Sequence, residues 1–297
     1  MTDASLADRK NNAESAKVSD DLSVYSYVFN TENPLFAIKE VRQALSVAID
    51  REAIIEAITF GKAANGFIPD IVKGFRTESL IKSGAREMKA NALLAAADLE
   101  GIDTEFDLVV NDDPESIAIA ELVEKAWERL DAGFEVNIVK LGAVESTVGE
   151  NTFLDSEMQV LLNEIAVGAS DFDVIALDWQ LYSTDPFVAL SAFSAVYSGM
   201  GSDFVEGVSR TNISGWVDFQ YDYQINKAYK AVDNDERIEA LREAEKILVD
   251  AAPIVPLVFN QNFSFSSADI SGVRTDAFGN FVYDGMTLAN YKEQSEK

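Results

Sequence analysis

Residues 172–186 read FDVIALDWQLYSTDP, and the parsing of this stretch decides the fold. Phe172-Asp173-Val174-Ile175-Ala176-Leu177 is apolar and β-branched with one acid near its start, the pattern of a buried strand. Asp178 to Thr184 follows as a polar, aromatic loop. Asp185-Pro186 then opens a helix, with Asp185 as N-cap and Pro186 in the first turn. A rigid strand that delivers Asp178, Trp179, Tyr182 and Ser183 into a loop makes a ligand wall. The same residues also describe a plain strand, a solvated loop and a helix start.

Working outward, strands alternate with helices. Upstream, Thr104–Val110 reads as a strand, Asp112-Asp113-Pro114-Glu115 as a strong helix start, and Phe134–Leu141 as the next strand. This β–α–β unit predicts a parallel pair. Further back, Ser23–Asn30 (SVYSYVFN) alternates as an aromatic strand. Ile38–Ala48, Arg51–Thr59 and Ala85–Leu99 follow as helices, with Asp50 as a cap. Residues 4–16 read as a short polar helix. Gly142–Ser170 is hard to parse, although Ser156–Val167 within it reads as an amphipathic helix. Downstream, Phe219–Ala231 and Asn234–Ala251 are helices, and Pro253 ends the second. Pro256–Phe265 (PLVFNQNFSF) is a strand, and the remainder holds short strands and glycine turns. The pattern places the chain in the α/β class.

Composition bounds the chemistry. The 297 residues carry 24 Lys+Arg against 51 Asp+Glu, a net charge of -27. Such a surface repels phosphates and argues against nucleic acid or an anionic membrane as partner. With no cysteine, disulfides, thiolate nucleophiles and zinc–thiolate sites are excluded. With no histidine, the commonest general base, the usual triads and the best transition-metal ligand are lost. No cofactor or metal is expected. An enzyme such as a two-carboxylate glycosidase is disfavoured, because no pair of acids stands out from the acidic surface. The first twenty residues contain no apolar run of the kind a signal peptide or transmembrane span needs.

Several blocks in order resemble the C-terminal lobe of the family 5 extracellular solute-binding proteins, the oligopeptide and dipeptide receptors of ABC importers. They are Phe29-Asn30-Thr31 with Pro34 and Phe36; Val41-Arg42-Gln43-Ala44-Leu45; Ala48-Ile49-Asp50-Arg51; and Leu93-Leu94 before Gly101. Phe172-Asp173 with Trp179 and Asp185-Pro186 follows. Gly215, Tyr221-Asp222, Glu243 to Leu248, and Ala252-Pro253-Ile254-Val255-Pro256-Leu257 close the set. Single blocks are weak, but their order over about residues 25–275 is specific. Arg42 and Asp50-Arg51 need only a structural reading, as caps and ion pairs.

The resemblance implies a type II periplasmic-binding-protein fold, in which two lobes close on a peptide. Here that means one lobe, a mixed sheet flanked by helices, plus the crossover strands. Residues 1–22 would be a tail from the missing lobe, 23–265 the second, ligand-binding lobe, and 266–297 a segment returning towards the first lobe. The strands Val24–Asn30 and Pro256–Phe265 are expected side by side at one edge, where the other lobe would join. The implied role is non-enzymatic capture of extracellular peptides, with ABC permease subunits as partners. It also implies a monomer in an extracellular or periplasmic location, held to a membrane only by a lipid anchor outside this chain. A receptor for another ligand, such as an oligosaccharide, or a peptide-sensing module stays open.

In the peptide-binding members an aspartate three residues after the tryptophan pairs with the peptide's α-amino group. That position here is Tyr182, a phenol with no negative charge at neutral pH. Asp178 or Asp185 could substitute, although a helix cap suits Asp185 better. Trp179 and Tyr182 are the expected wall, with Ser183 and Asp178 beside them. Asn30 stands where the chain would enter the cleft, or serves a turn. Trp216 lies in a loop and faces either the cleft or solvent.

Overall fold

The computed structural model describes residues 17–82, 84–148, 151–198, 211–264, 269–276 and 278–289. The helix expected over residues 4–16 lies outside them. In chain order the first eight strands are β1 (Lys17–Phe29), β2 (Lys62–Ala63), β3 (Glu105–Asn111), β4 (Glu135–Leu141), β5 (Ala143–Val148), β6 (Asn151–Ser156), β7 (Val174–Gln180) and β8 (Ile254–Ser264). Six of them build the organising sheet, in the order β2-β8-β1-β7-β3-β4. β3 runs parallel to β4 and to β7, while β1 is antiparallel to β7 and β8. The carboxyl ends of β3, β4, β7 and β8 therefore share one end of the sheet.

Side-chain alternation along β1 explains the layers. Tyr25, Tyr27 and Phe29 face one way; Val24 and Val28 face the other. The first face is covered by α1 (Pro34–Ala37), α2 (Lys39–Ala48), α3 (Arg51–Ile58), α4 (Arg86–Leu94) and α5 (Pro114–Trp127). The second is covered by α6 (Glu157–Ala166), α7 (Pro186–Ser191), α8 (Phe219–Lys230) and α9 (Asn234–Ala251). The result is a three-layer α/β/α sandwich: the α/β class is what the alternation of elements predicts, and the mixed sheet is what the resemblance implies. Acid caps fix the helix starts: Asp50, Asp113, Asp185, Asp218 and Asp233 each accept from a main-chain amide of the first turn.

Five details differ from the sequence reading. β1 begins six residues earlier than Ser23, because Lys17 to Asp20 pair with Ser264 to Gln261 in a two-stranded ribbon. β1 and β8 do lie side by side, but inside the sheet: β7 flanks β1, and the short β2 flanks β8. The unparsed region before α6 is an antiparallel pair, β5 with β6. α4 stops at Leu94, where Ala96 and Ala97 switch to bonds from their amides to the carbonyls three residues back. Arg42 and Arg51 are buried and donate to carbonyls, of Ala251, Phe36 and Ala37 and of Pro256 and Ser46, rather than to acids. Burial lowers both guanidinium pKa values to about 10.

Beyond the ribbon, residues 269–289 form two small ladders from four short strands, β9 (Ile270–Ser271), β10 (Arg274–Thr275), β11 (Phe281–Val282) and β12 (Thr287–Leu288). β9 pairs with β12, and β10 with β11. A cavity of about 490 Å³ lies between them and the ribbon, lined by Val18, Ile270, Phe281, Tyr283 and Met286 among others.

Candidate ligand-binding site

Strand β7 runs three residues past Leu177, so Asp178, Trp179 and Gln180 are strand rather than loop. The cause is tertiary. β1 supplies a partner throughout, with Tyr25 opposite Asp178, Val24 opposite Trp179 and Ser23 opposite Gln180. The Leu181 amide continues the ladder by donating to the Leu22 carbonyl at 2.7 Å. Strand alternation then sends Asp178 and Trp179 to opposite faces at the shared carboxyl end. In open α/β sheets that end is where ligands bind.

Trp179 is half-buried. Its indole stacks on Phe193 at 4.8 Å and meets the edge of Phe67 at 5.9 Å, and those two rings meet each other at 5.3 Å. Three rings locked together give a rigid apolar shelf with one open side. On the other face, the Asp178 carboxylate accepts from Asn260 Nδ2 at 2.6 Å. The same amide nitrogen donates to Ser23 Oγ at 2.9 Å, so Asn260 ties β8 to both β1 and β7. Desolvation raises the Asp178 pKa, the Asn260 bond opposes it, and the charges of Asp21 and Asp113 raise it further. No lysine or arginine among the described residues pairs with Asp178.

The loop that follows is mixed. Tyr182 is 83% exposed at its tip. Ser183 Oγ accepts from the Asp185 amide at 3.0 Å, a local turn bond. Asp185 caps α7 through the Phe187 amide and pairs with Arg237 Nη2 at 2.9 and 2.7 Å. Its carboxylate is therefore committed to structure.

Asn30 lies at the opposite end of β1, six residues from Val24, or about 20 Å along an extended strand. It is 6% exposed, donates to Asp171 Oδ1 at 2.7 Å and the Phe172 carbonyl at 3.0 Å, and accepts from the Glu32 amide. Asp178, Trp179, Tyr182 and Ser183 thus share one end of the sheet, with Asp178 on the face opposite Trp179, and Asn30 lies apart, in a turn. Trp216 faces neither cleft nor solvent: it is 7% exposed and packs on Tyr221 at 5.1 Å. Sequence reading missed Phe67, Phe193 and Asn260. The first two lie far from Trp179 in the chain. Asn260 is one of three consecutive amides in its strand, and nothing local singles it out.

Against this geometry, residues 2–200 match the family described as bacterial extracellular solute-binding proteins, family 5 Middle. The chain belongs to that family. The oligopeptide-binding protein OppA of Bacillus subtilis (strain 168) is 24% identical over 267 residues, covering 84% of this chain and 42% of OppA. The dipeptide-binding protein DppE of the same organism is 23% identical over 290 residues, 91% of this chain and 46% of DppE. The fold is shared with a dipeptide-binding protein from Pseudoalteromonas sp. SM9913 solved in complex with Met-Leu. That likeness has a TM-score of 0.69 at 22% identity, and covers 97% of this chain and 52% of that one. This family 5 chain spans about half the length of the curated relatives it matches. The family is one of solute-binding receptors. No described helix is long and apolar enough to cross a membrane.

Proposed function

We propose that this chain forms the ligand-gripping lobe of the substrate-binding component of an ABC importer. Its cargo is extracellular oligopeptides. The observation that carries this reading is the Trp179–Phe67–Phe193 shelf. It stands at the carboxyl end of the sheet, where Asp178 projects from the opposite face of the same strand. A fixed aromatic surface holds apolar side chains, and a carboxylate in a partly dehydrated setting holds an ammonium. Asp178 then supplies the charge that Tyr182 lacks, from the strand instead of the loop. Main-chain hydrogen bonding to an extended peptide gives affinity with tolerance of sequence.

On this reading residues 23–265 are the binding lobe, with 1–22 and 266–297 leading to the other lobe. The protein works as a monomer outside the cytoplasmic membrane, attached by a lipid anchor, and hands its cargo to permease subunits without transforming it. The names of the relatives favour peptide over oligosaccharide.

Calorimetry with a random pentapeptide pool tests the proposal. Trp179→Ala is expected to weaken binding by about 1–3 kcal/mol, the scale of a partly buried aromatic anchor. Unchanged affinity in the variant, or no heat from the parent chain with any peptide, would overturn it.

A further inference from the structure

Glu245 is the one buried carboxylate among the described residues, at 2% exposure in α9. Its Oε1 accepts from the Phe67 amide at 2.9 Å and the Ile68 amide at 2.8 Å, and also from Arg76 Nη2. Arg76 turns back on the same segment, donating to the Ile68 carbonyl, to Asn65 Oδ1 and to Asp70 Oδ1. Its guanidinium stands 5.5 Å over the Phe259 ring. Gly66 has no side chain where this fold is tightest, since a Cβ there would collide with the Arg76 guanidinium. Residues 64–76, which contain no helix or strand, are pinned to α9 at two points: Glu245 holds the part that carries Phe67, and Arg242 donates to the Phe75 and Gly74 carbonyls at 2.6 and 2.8 Å.

This anchorage lies directly behind the shelf. Phe67 is fully buried, and its ring sets one side of the Trp179 indole. Phe259 pairs with Val24, which pairs with Trp179, so the cation and the indole sit over one row of the sheet. A carboxylate accepting two main-chain amides and a guanidinium is held far more tightly than a neutral acceptor would be.

We propose that Glu245 is a positioning residue for ligand binding: it fixes the Phe67 ring, and through it the orientation of the Trp179 indole. This rests on the reading of Trp179 as ligand wall. The chain contains three tryptophans, so 5-fluorotryptophan labelling gives three fluorine resonances. Trp127, in the core on the other face of the sheet, serves as an internal reference for intact folding.

Glu245→Ala and Phe67→Leu should each shift the Trp179 resonance, leave that of Trp127 in place, and weaken binding of the pentapeptide pool by roughly tenfold. Glu245→Asp, which keeps the charge but shortens the reach, should shift it less. Glu245→Gln, which keeps the acceptor oxygen but loses the charge that faces Arg76, should shift the resonance and weaken binding less than Glu245→Ala without matching the parent. An unmoved Trp179 resonance in folded Glu245→Ala or Glu245→Asp overturns the assignment. A moved resonance with unchanged peptide affinity overturns the ligand-wall reading and leaves the positioning assignment standing.

Discussion

Trp127 and Trp179 occupy opposite faces of one sheet and live in different surroundings. Trp127 is fully buried among Tyr27, Phe29 and Phe106, and its indole N–H donates to the Leu45 carbonyl at 2.9 Å. Each side of that ring is occupied and its one polar atom is satisfied. Trp179 also has two ring neighbours, yet it stays half-buried at the end of a strand. The first arrangement can only stabilise. The second leaves part of an apolar ring facing water, the kind of surface that a ligand or partner covers.

The contrast can be broken most forcefully at Trp127. Trp127→Ala should cost about 3–5 kcal/mol of stability, the scale of deleting a fully enclosed aromatic, without altering peptide affinity of the molecules that remain folded. Urea unfolding paired with calorimetry reads both. A loss of affinity comparable to that of Trp179→Ala would mean that the two faces are not functionally distinct.

A subtler effect is expected at Asp178. Desolvation and acidic neighbours hold its folded-state pKa above the ordinary 3.8, so the folded chain binds this proton more readily than the unfolded chain. Stability from this group therefore rises as pH falls through the raised value towards 3.8, and drops as pH climbs back through the same window. Asp178→Asn keeps an acceptor for Asn260 and removes the charge. It should be more stable than the parent at neutral pH, with the advantage vanishing once the carboxyl is protonated in both states. Urea midpoints at neutral and acid pH measure the difference, and an advantage independent of pH would contradict it. The smallest effect belongs to Tyr182, whose exposure predicts a stability change within about 0.5 kcal/mol for Tyr182→Ala. A larger loss would place its ring in the shelf.

Much of this architecture was legible in the residues. Asp50, Asp113, Asp185 and Asp218 announced their helices because a cap is a local event, decided by a side chain and the amides two or three residues on. α9 has the bounds its apolar spacing and Pro253 predict. The misreading of Asp178-Trp179-Gln180 as loop has the opposite origin. An acid, an indole and an amide in sequence look like a solvated turn, and only pairing with Ser23 to Tyr25, far upstream in the chain, makes them strand. Trp216 was ambiguous for the same reason: its covering ring, Tyr221, becomes its neighbour only when α8 docks. The candidate wall was visible as Trp179 and Tyr182, whereas Phe67, Phe193 and Asn260 depend on long-range packing that no local pattern records.

The place of β1 also bears on how the molecule is made. Its central residues lie between β7 and β8, so Val28 waits for Ile175 on one side and Ile254 on the other. At roughly 5–20 residues per second, about 11 to 45 seconds separate translation of Val28 from that of Ile254. Until Ile175 is made that apolar strand has neither of the mates that will hide it, and until Ile254 is made it has only one, a natural period for a chaperone to hold the nascent chain.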